Sequence, residues 1–227
     1  MNRMTRPNAW ERETLGCLPL LTALDLDTVA AMLEFAIIRS VGPRQMLFRE
    51  GDPAETLVCV LSGYVRTFHL SPQGREVDLL IHEPGDVIGS SVCLDRQTYC
   101  VNAQATDSVK VAQFDLQRIR ELAARKPDLA LALASALSGQ FASSLSMLAD
   151  DRLHTAPQRV AHYLKKQCPQ GARNVSFRLP YQKNLLAGQL GLAPEALSRA
   201  FSYLRRHGVS VRGRLVQVND PEVLQSI

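Results

Sequence analysis

Apolar and polar positions fall into three textures along the 227 residues, and each predicts a different kind of element. From Leu18 to Phe35 the apolar residues Leu20, Leu21, Leu24, Leu26, Val29, Leu33 and Phe35 predict one or two short helices, with Val29 and Leu33 sharing a face. Asp25 and Asp27 are the candidate N-caps. Asp27 is favoured, because Thr28 and Val29 then open the apolar pattern. Residues 1–13 are polar, have no period and read as a loose arm.

From Ala36 to Phe114 the texture changes to short β-prone runs, among them Thr56–Leu61, Tyr64–Leu70, Val77–His82 and Val109–Phe114. Gly51-Asp52-Pro53, Ser62-Gly63 and Pro84-Gly85-Asp86 punctuate them, and Ser71-Pro72-Gln73-Gly74 reads as a hairpin turn. Many short strands predict an antiparallel barrel or jelly roll that can enclose a small ligand.

The third texture is helical. Gln117–Ala124 makes a short piece, and Pro127 opens a long helix at its first turn. Leu129, Leu133, Leu137, Phe141, Leu145 and Leu148 form a stripe that needs a partner along its length, and pairing with a second copy is favoured over packing on the barrel. A further helix over Asp151–Gln167 uses Val160, Tyr163 and Leu164 as core and ends at Pro169-Gln170-Gly171.

Leu179–Val218 carries the most specific pattern. Leu185, Leu186 and Leu190 keep helical spacing, Gly191 interrupts it as a tight helix–helix corner requires, and Pro194 opens a second helix that buries Leu197, Phe201 and Leu204. Glu195, Ser198 and Arg199 are left on another face, as in a recognition helix entering a major groove. Arg199 suits guanine, Glu195 the cytosine amino group, and Ser198 a base or phosphate. Val209–Val218 alternates on both sides of Gly213, which predicts a two-stranded wing with Arg212 and Arg214 at its tip, suited to phosphates.

Charge sharpens this picture. Residues 151–227 hold 12 Lys/Arg against 4 Asp/Glu, whereas residues 1–150 hold 14 against 18, so the footprint for a polyanion is confined to the C-terminal third. Hydrophobic content of 46%, no long apolar run and no charged-then-apolar leader predict a soluble, cytoplasmic protein without membrane insertion. Cys17, Cys59, Cys93, Cys100 and Cys168 are dispersed, which argues against a disulfide framework or a four-cysteine metal site. No paired carboxylates or clustered metal-ligand motif point to an enzyme.

The chain resembles the Crp/Fnr superfamily of transcription regulators across essentially its whole length. The residues that carry the resemblance are the barrel run GDPAETLVCVLSGYVRTFHLSPQGREVDLLIHEPGDVIG, then DRLHTAPQRVAHYL, then LAGQLGLAPEALSRAFSYLRRHGV. It implies an α+β fold: an antiparallel β-roll of the cyclic-nucleotide-binding kind with N-terminal helices over residues 1–126, a dimerisation helix over 127–150, and a winged helix-turn-helix over 151–227. It further implies a homodimer on palindromic double-stranded DNA that contacts RNA polymerase, with an effector in the roll acting through the long helices. Glu195, Ser198 and Arg199 match the Fnr-like base-reading positions, and Pro194 stands where the cyclic-AMP receptor's branch has an arginine, so a TTGAT-like half-site is expected over a TGTGA-like one.

The same resemblance bears on the effector. The cyclic-nucleotide cassette pairs Gly-Glu with a later Arg-Ser/Thr. Here Gly89 precedes Ser90, the later stretch reads Gln97-Thr98-Tyr99-Cys100, and Arg96 is out of register, which disfavours cyclic AMP. An iron–sulfur cluster is disfavoured because Cys17 stands alone in the N-terminal segment. Leu179–Phe201 looks most like the nitric-oxide-responsive subgroup, some of which bind haem, and His69, His82, His154, His162 and His207 are the available axial ligands, none selected by its spacing. Cys93 and Cys100, near one barrel loop, read as small core residues or as a redox or metal pair.

Overall fold

The structure, a computed structural model, describes residues 3–92 and 97–227; Cys93 and Arg96 lie outside the described residues. The chain forms two compact units that divide between Ala142 and Ser143.

Residues 3–13 are not a loose arm. Strand β1 (Arg3–Thr5) pairs antiparallel with β2 (Ile37–Val41), and helix α1 (Ala9–Gly16) follows. Asn8 Oδ1 accepts from the Glu11 N–H at 2.9 Å, and the Glu11 carboxylate accepts from the Asn8 N–H at 3.0 Å. This reciprocal cap starts a helix where no apolar period announces one. Helices α2 (Pro19–Thr22) and α3 (Leu26–Glu34) come next, and α3 is capped by Asp25 rather than Asp27. The Asp25 carboxylate accepts from the Thr28 N–H at 2.6 Å; the helix opens at exposed Leu26, ahead of its apolar pattern, which places Asp27 in the first turn.

Among the described residues, eight strands then build the roll: β2, β3 (Met46–Phe48), β4 (Thr56–Ser62), β5 (Val65–Leu70), β6 (Glu76–His82), β7 (Val87–Ile88), β8 (Asn102–Ala105) and β9 (Val109–Asp115). Together with β1 they form two antiparallel sheets, ordered β1-β2-β9-β4-β7 and β3-β8-β5-β6. The β5–β6 hairpin turns at Ser71–Gly74 as the sequence predicts, with Gly74 at φ +78° and its N–H on Ser71 O at 2.8 Å. Leu57, Val58, Cys59 and Val60 of β4 are all buried, so this strand is covered on both faces.

Helix α4 (Leu116–Arg125) is capped by Asp115, and α5 (Pro127–Leu153) runs through the division between the units. By length and apolarity alone α5 could cross a membrane. Its first turns instead pack in the roll core, with Leu129 and Leu133 0% and 3% exposed, while Phe141, Leu145 and Leu148 are 63%, 50% and 47% exposed. The stripe read from the sequence therefore splits. Each four-residue step advances about 40° around a helix of 3.6 residues per turn, so by Leu145 the stripe has turned about 160° from Leu129.

A second series, hidden in that stripe, stays on one face. Leu131, Ala134, Ser138, Phe141, Leu145, Leu148 and Arg152 alternate steps of three and four, and every one of them is exposed. That spacing makes a seam of the coiled-coil kind.

Helix α6 (Ala156–Lys166) opens after a break at His154-Thr155, so Asp151–Leu153 belong to α5 and not to the next helix. The Thr155/Gln158 capping box and Pro157 fix this break. The C-terminal unit continues with β10 (Val175–Arg178), α7 (Lys183–Gln189), α8 (Pro194–Arg205), β11 (Val209–Arg212) and β12 (Leu215–Val218). Its sheet runs β10-β12-β11, so the expected two-stranded wing carries a third strand, β10, whose four residues give too weak an alternation to stand out in the sequence.

Candidate nucleic-acid interface

Helix α8 is held by its apolar face. Leu197, Ala200, Phe201 and Leu204 are buried, and the core around them includes Val160, Ala161 and Leu164 of α6 and Leu186 of α7. The opposite face presents Glu195, Ser198, Arg199 and Ser202, all exposed. Ala193 precedes the helix and offers no side-chain cap, so the N–H groups of the first turn receive nothing from the N-cap side chain. Positive charge flanks this face. Lys183 Nζ lies 5.5 Å from the Phe201 ring centroid, and Lys183 and Arg205 line one groove with Ser198 and Ser202. Neither Lys183 nor Arg205 was singled out by sequence; their signal was the positive balance of the region.

The corner between α7 and α8 rests on two residues. Gly191 adopts φ +62°, and a Cβ there would meet Arg159 Nη1 at 3.2 Å. That guanidinium donates to Leu190 O at 3.0 Å, filling the C-terminal end of α7, and also pairs with Asp151. Gly191→Ala should therefore lower the unfolding free energy of the C-terminal unit by roughly 1–2 kcal/mol, the cost of a left-handed alanine. Hydrogen exchange at the Leu186 and Leu204 amides measures it; unchanged protection would contradict this account of the corner.

The wing separates its two arginines. Gly213 turns the hairpin at φ +59°, and Arg212 is exposed beside it. Arg214 folds back, donating from Nε to Leu179 O at 2.7 Å and from Nη2 to Pro180 O. It pins the entry to α7 against the wing. His207 sits at the end of α8 with Nδ1 3.3 Å from Tyr203 O.

In the roll, Ser90 stands at the position where the cyclic-nucleotide cassette has Glu. It is buried and donates to Gln140 Oε1 of α5 at 2.9 Å, while Gln140 Nε2 donates to Val87 O at 2.5 Å. This position is thus engaged with the long helix. His82 is 5% exposed, with Nε2 3.2 Å from Thr67 Oγ1 and Nδ1 4.0 Å from Asp86. Burial pushes its pKa down to about 4, against the pull of the Asp86 carboxylate. His69 is half-exposed, with Nδ1 2.9 Å from Glu50. The His82 ring is thus engaged inside the roll, whereas the His69 ring is held through Nδ1 alone.

Cys17 is exposed, Cys59 is buried in β4, Cys100 lies 3.8 Å from Ser91 Oγ, and Cys168 donates to Leu164 O at 3.3 Å with its thiol pKa raised by burial. Among the described residues no group of three potential metal donors includes a cysteine.

Comparison with known proteins agrees with both halves of this geometry. Residues 38–126 match a cyclic nucleotide-binding domain, and residues 158–227 match a Crp-like helix-turn-helix domain. The transcriptional activator protein Anr of Pseudomonas aeruginosa is 32% identical over 210 residues, covering 90% of this chain and 85% of that protein. The anaerobic regulatory protein of Pasteurella multocida is 25% identical over 210 residues, covering 90% and 76%. Among solved structures, FixK2 from Bradyrhizobium japonicum shares the fold with a TM-score of 0.72 at 23% identity, covering 84% of this chain and 96% of that one.

Proposed function

The chain belongs to the Crp/Fnr family of DNA-binding transcription regulators, and on that footing we propose that it acts as a cytoplasmic homodimer reading a palindromic site. The observation that carries the reading is the open face of α8: Glu195, Ser198 and Arg199 are exposed together above a fully packed apolar face. A two-fold dimer gives two such faces the spacing of a palindrome. The seam on α5 supports the pairing, and Pro194, exposed at the start of α8, supports a TTGAT-like half-site. RNA polymerase is the partner at the promoter, in keeping with the activator name of the Pseudomonas relative.

A binding screen on randomised half-sites tests the assignment. Arg199→Ala is expected to weaken specific binding by about 1–3 kcal/mol and to relax preference at one base pair. Arg212→Ala should weaken all sequences evenly and flatten the salt dependence by about one ion. Arg214→Ala should act through the wing instead, lowering stability as well as affinity. Intact base preference in Arg199→Ala, or a preference of the native chain for TGTGA half-sites, would sink the reading.

The family uses its roll as a sensor, and two inputs have support. The resemblance of Leu179–Phe201 to nitric-oxide-responsive regulators favours nitric oxide, and of the two roll histidines His69, held through Nδ1 alone, keeps Nε2 for a haem iron better than buried His82 does. The name of the Pasteurella relative favours anaerobiosis. Anaerobic purification with an absorption spectrum and metal analysis, followed by operator titration with nitric oxide and then air, separates them. Equal affinity in every state would point to a regulator without an effector.

A further inference from the structure

Where α5 ends and α6 begins, three potential metal donors converge that play no part in base reading. Asp150 sits one turn before His154, which occupies the break, and His162 lies on α6; one donor atom from each is within 4.8 Å of the others. The two imidazole rings meet edge to face at 4.6 Å. His154 Nδ1 is shielded from solvent and lies 3.2 Å from Asp150 Oδ1, yet it makes no hydrogen bond. A neutral nitrogen lone pair facing a carboxylate is unfavourable unless a proton or a cation lies between them. The misalignment suits two lone pairs directed at one cation better than an N–H aimed at an oxygen.

We propose that Asp150, His154 and His162 bind a first-row divalent transition-metal ion, with Zn2+ as the reference occupant. Metal–nitrogen and metal–oxygen bonds of about 2.1 Å in a tetrahedron place neighbouring donors about 3.4 Å apart. The Asp150–His154 pair already has that separation at 3.2 Å, which leaves His162 to close in. Two imidazoles and one carboxylate without a thiolate suit Zn2+, Co2+, Ni2+ or Cu2+ rather than Ca2+ or Mg2+, and leave a fourth position for water.

The framework is set before any ion arrives. Thr155 N–H donates to Gln158 Oε1 at 2.8 Å, and Gln158 Nε2 donates to Ile227 O at 3.0 Å. The adjacent carboxylate, Asp151, is engaged by Arg159, which leaves Asp150 for the ion. Occupancy staples the last turn of α5 to α6.

The test uses the full chain stripped by chelator and titrated calorimetrically with Zn2+ and with Co2+. One equivalent of metal is expected, with visible Co2+ bands of four-coordinate nitrogen and oxygen ligation and no sulfur charge-transfer band. Zn2+ should raise the thermal midpoint. His162→Gln and Asp150→Asn should each weaken binding by roughly 100-fold or more, beyond what outer-sphere changes cost. Cys168→Ser should leave it unchanged. Asp150 is half-exposed, so Asp150→Asn keeps the fold testable if His162→Gln does not. No uptake by the native chain, full affinity in Asp150→Asn, or a sulfur–cobalt band would overturn the site; an imidazolium–carboxylate pair would then account for the geometry.

Discussion

Leu145→Glu should leave each chain folded while abolishing the proposed dimer and, with it, binding to the full palindrome proposed as its site. Leu145 is 50% exposed in the single chain, so a carboxylate there meets water and costs the protomer little. In a pair joined through Phe141, Leu145 and Leu148, two such carboxylates face each other across the seam with no cation beside them. An uncompensated charge in such a place costs roughly 4 kcal/mol, about a thousandfold in the dimer constant. Sedimentation equilibrium reads the loss directly, and fluorescence anisotropy on a full palindrome against a single half-site shows whether affinity falls to the half-site level. Leu153→Glu is the control: Leu153 is 76% exposed but lies off the seam, so its replacement should change neither measurement. Dimerisation that survives Leu145→Glu would move the pairing surface elsewhere.

Acid should destabilise the roll through His82. Its pKa falls from 6.5 to about 4 because burial disfavours the imidazolium. The unfolded chain takes up a proton on this ring below about pH 6.5, and the folded chain does not until about pH 4. Stability is therefore complete above the upper value, declines through the window as the pH falls, and levels off below the lower one. The full decline amounts to roughly 3 kcal/mol. Glu83, whose carboxyl pKa is raised by burial and by Asp86, works in the opposite sense, so the measurement is a difference: urea unfolding of the native chain minus His82→Gln at each pH. A difference that stays flat between pH 4 and 6.5 would show that His82 is not buried as a neutral ring.

Much of this architecture was legible because punctuation, not propensity, marks it. Ser71–Gly74 and Gly191 need positive φ, Pro127 and Pro194 pre-set helix starts, and each stands where the chain turns. The recognition face was legible for the same reason: spacing separates Leu197, Phe201 and Leu204 from Glu195, Ser198 and Arg199. What escaped was organised by side-chain hydrogen bonds, which leave no apolar period. The Asn8/Glu11 cap, the Thr155/Gln158 cap that ends α5, and the retreat of Arg214 onto Leu179 O and Pro180 O are of that kind. The stripe on α5 misled through arithmetic, since its equal steps outrun the helical turn. His154 and His162 were named only among histidines without a selecting spacing, and their convergence with Asp150 was not legible because the helix break between them destroys any fixed ligand spacing.

The seam from Leu131 to Arg152 spans three heptads. On a straight helix a heptad repeat drifts about 20° per seven residues, so two straight rods would lose contact over that length. Two copies can keep Phe141, Leu145 and Leu148 together only by winding into a left-handed supercoil. In the proposed dimer the handedness of the pair would thereby be written in the alternation of three and four, before any effector or DNA is bound.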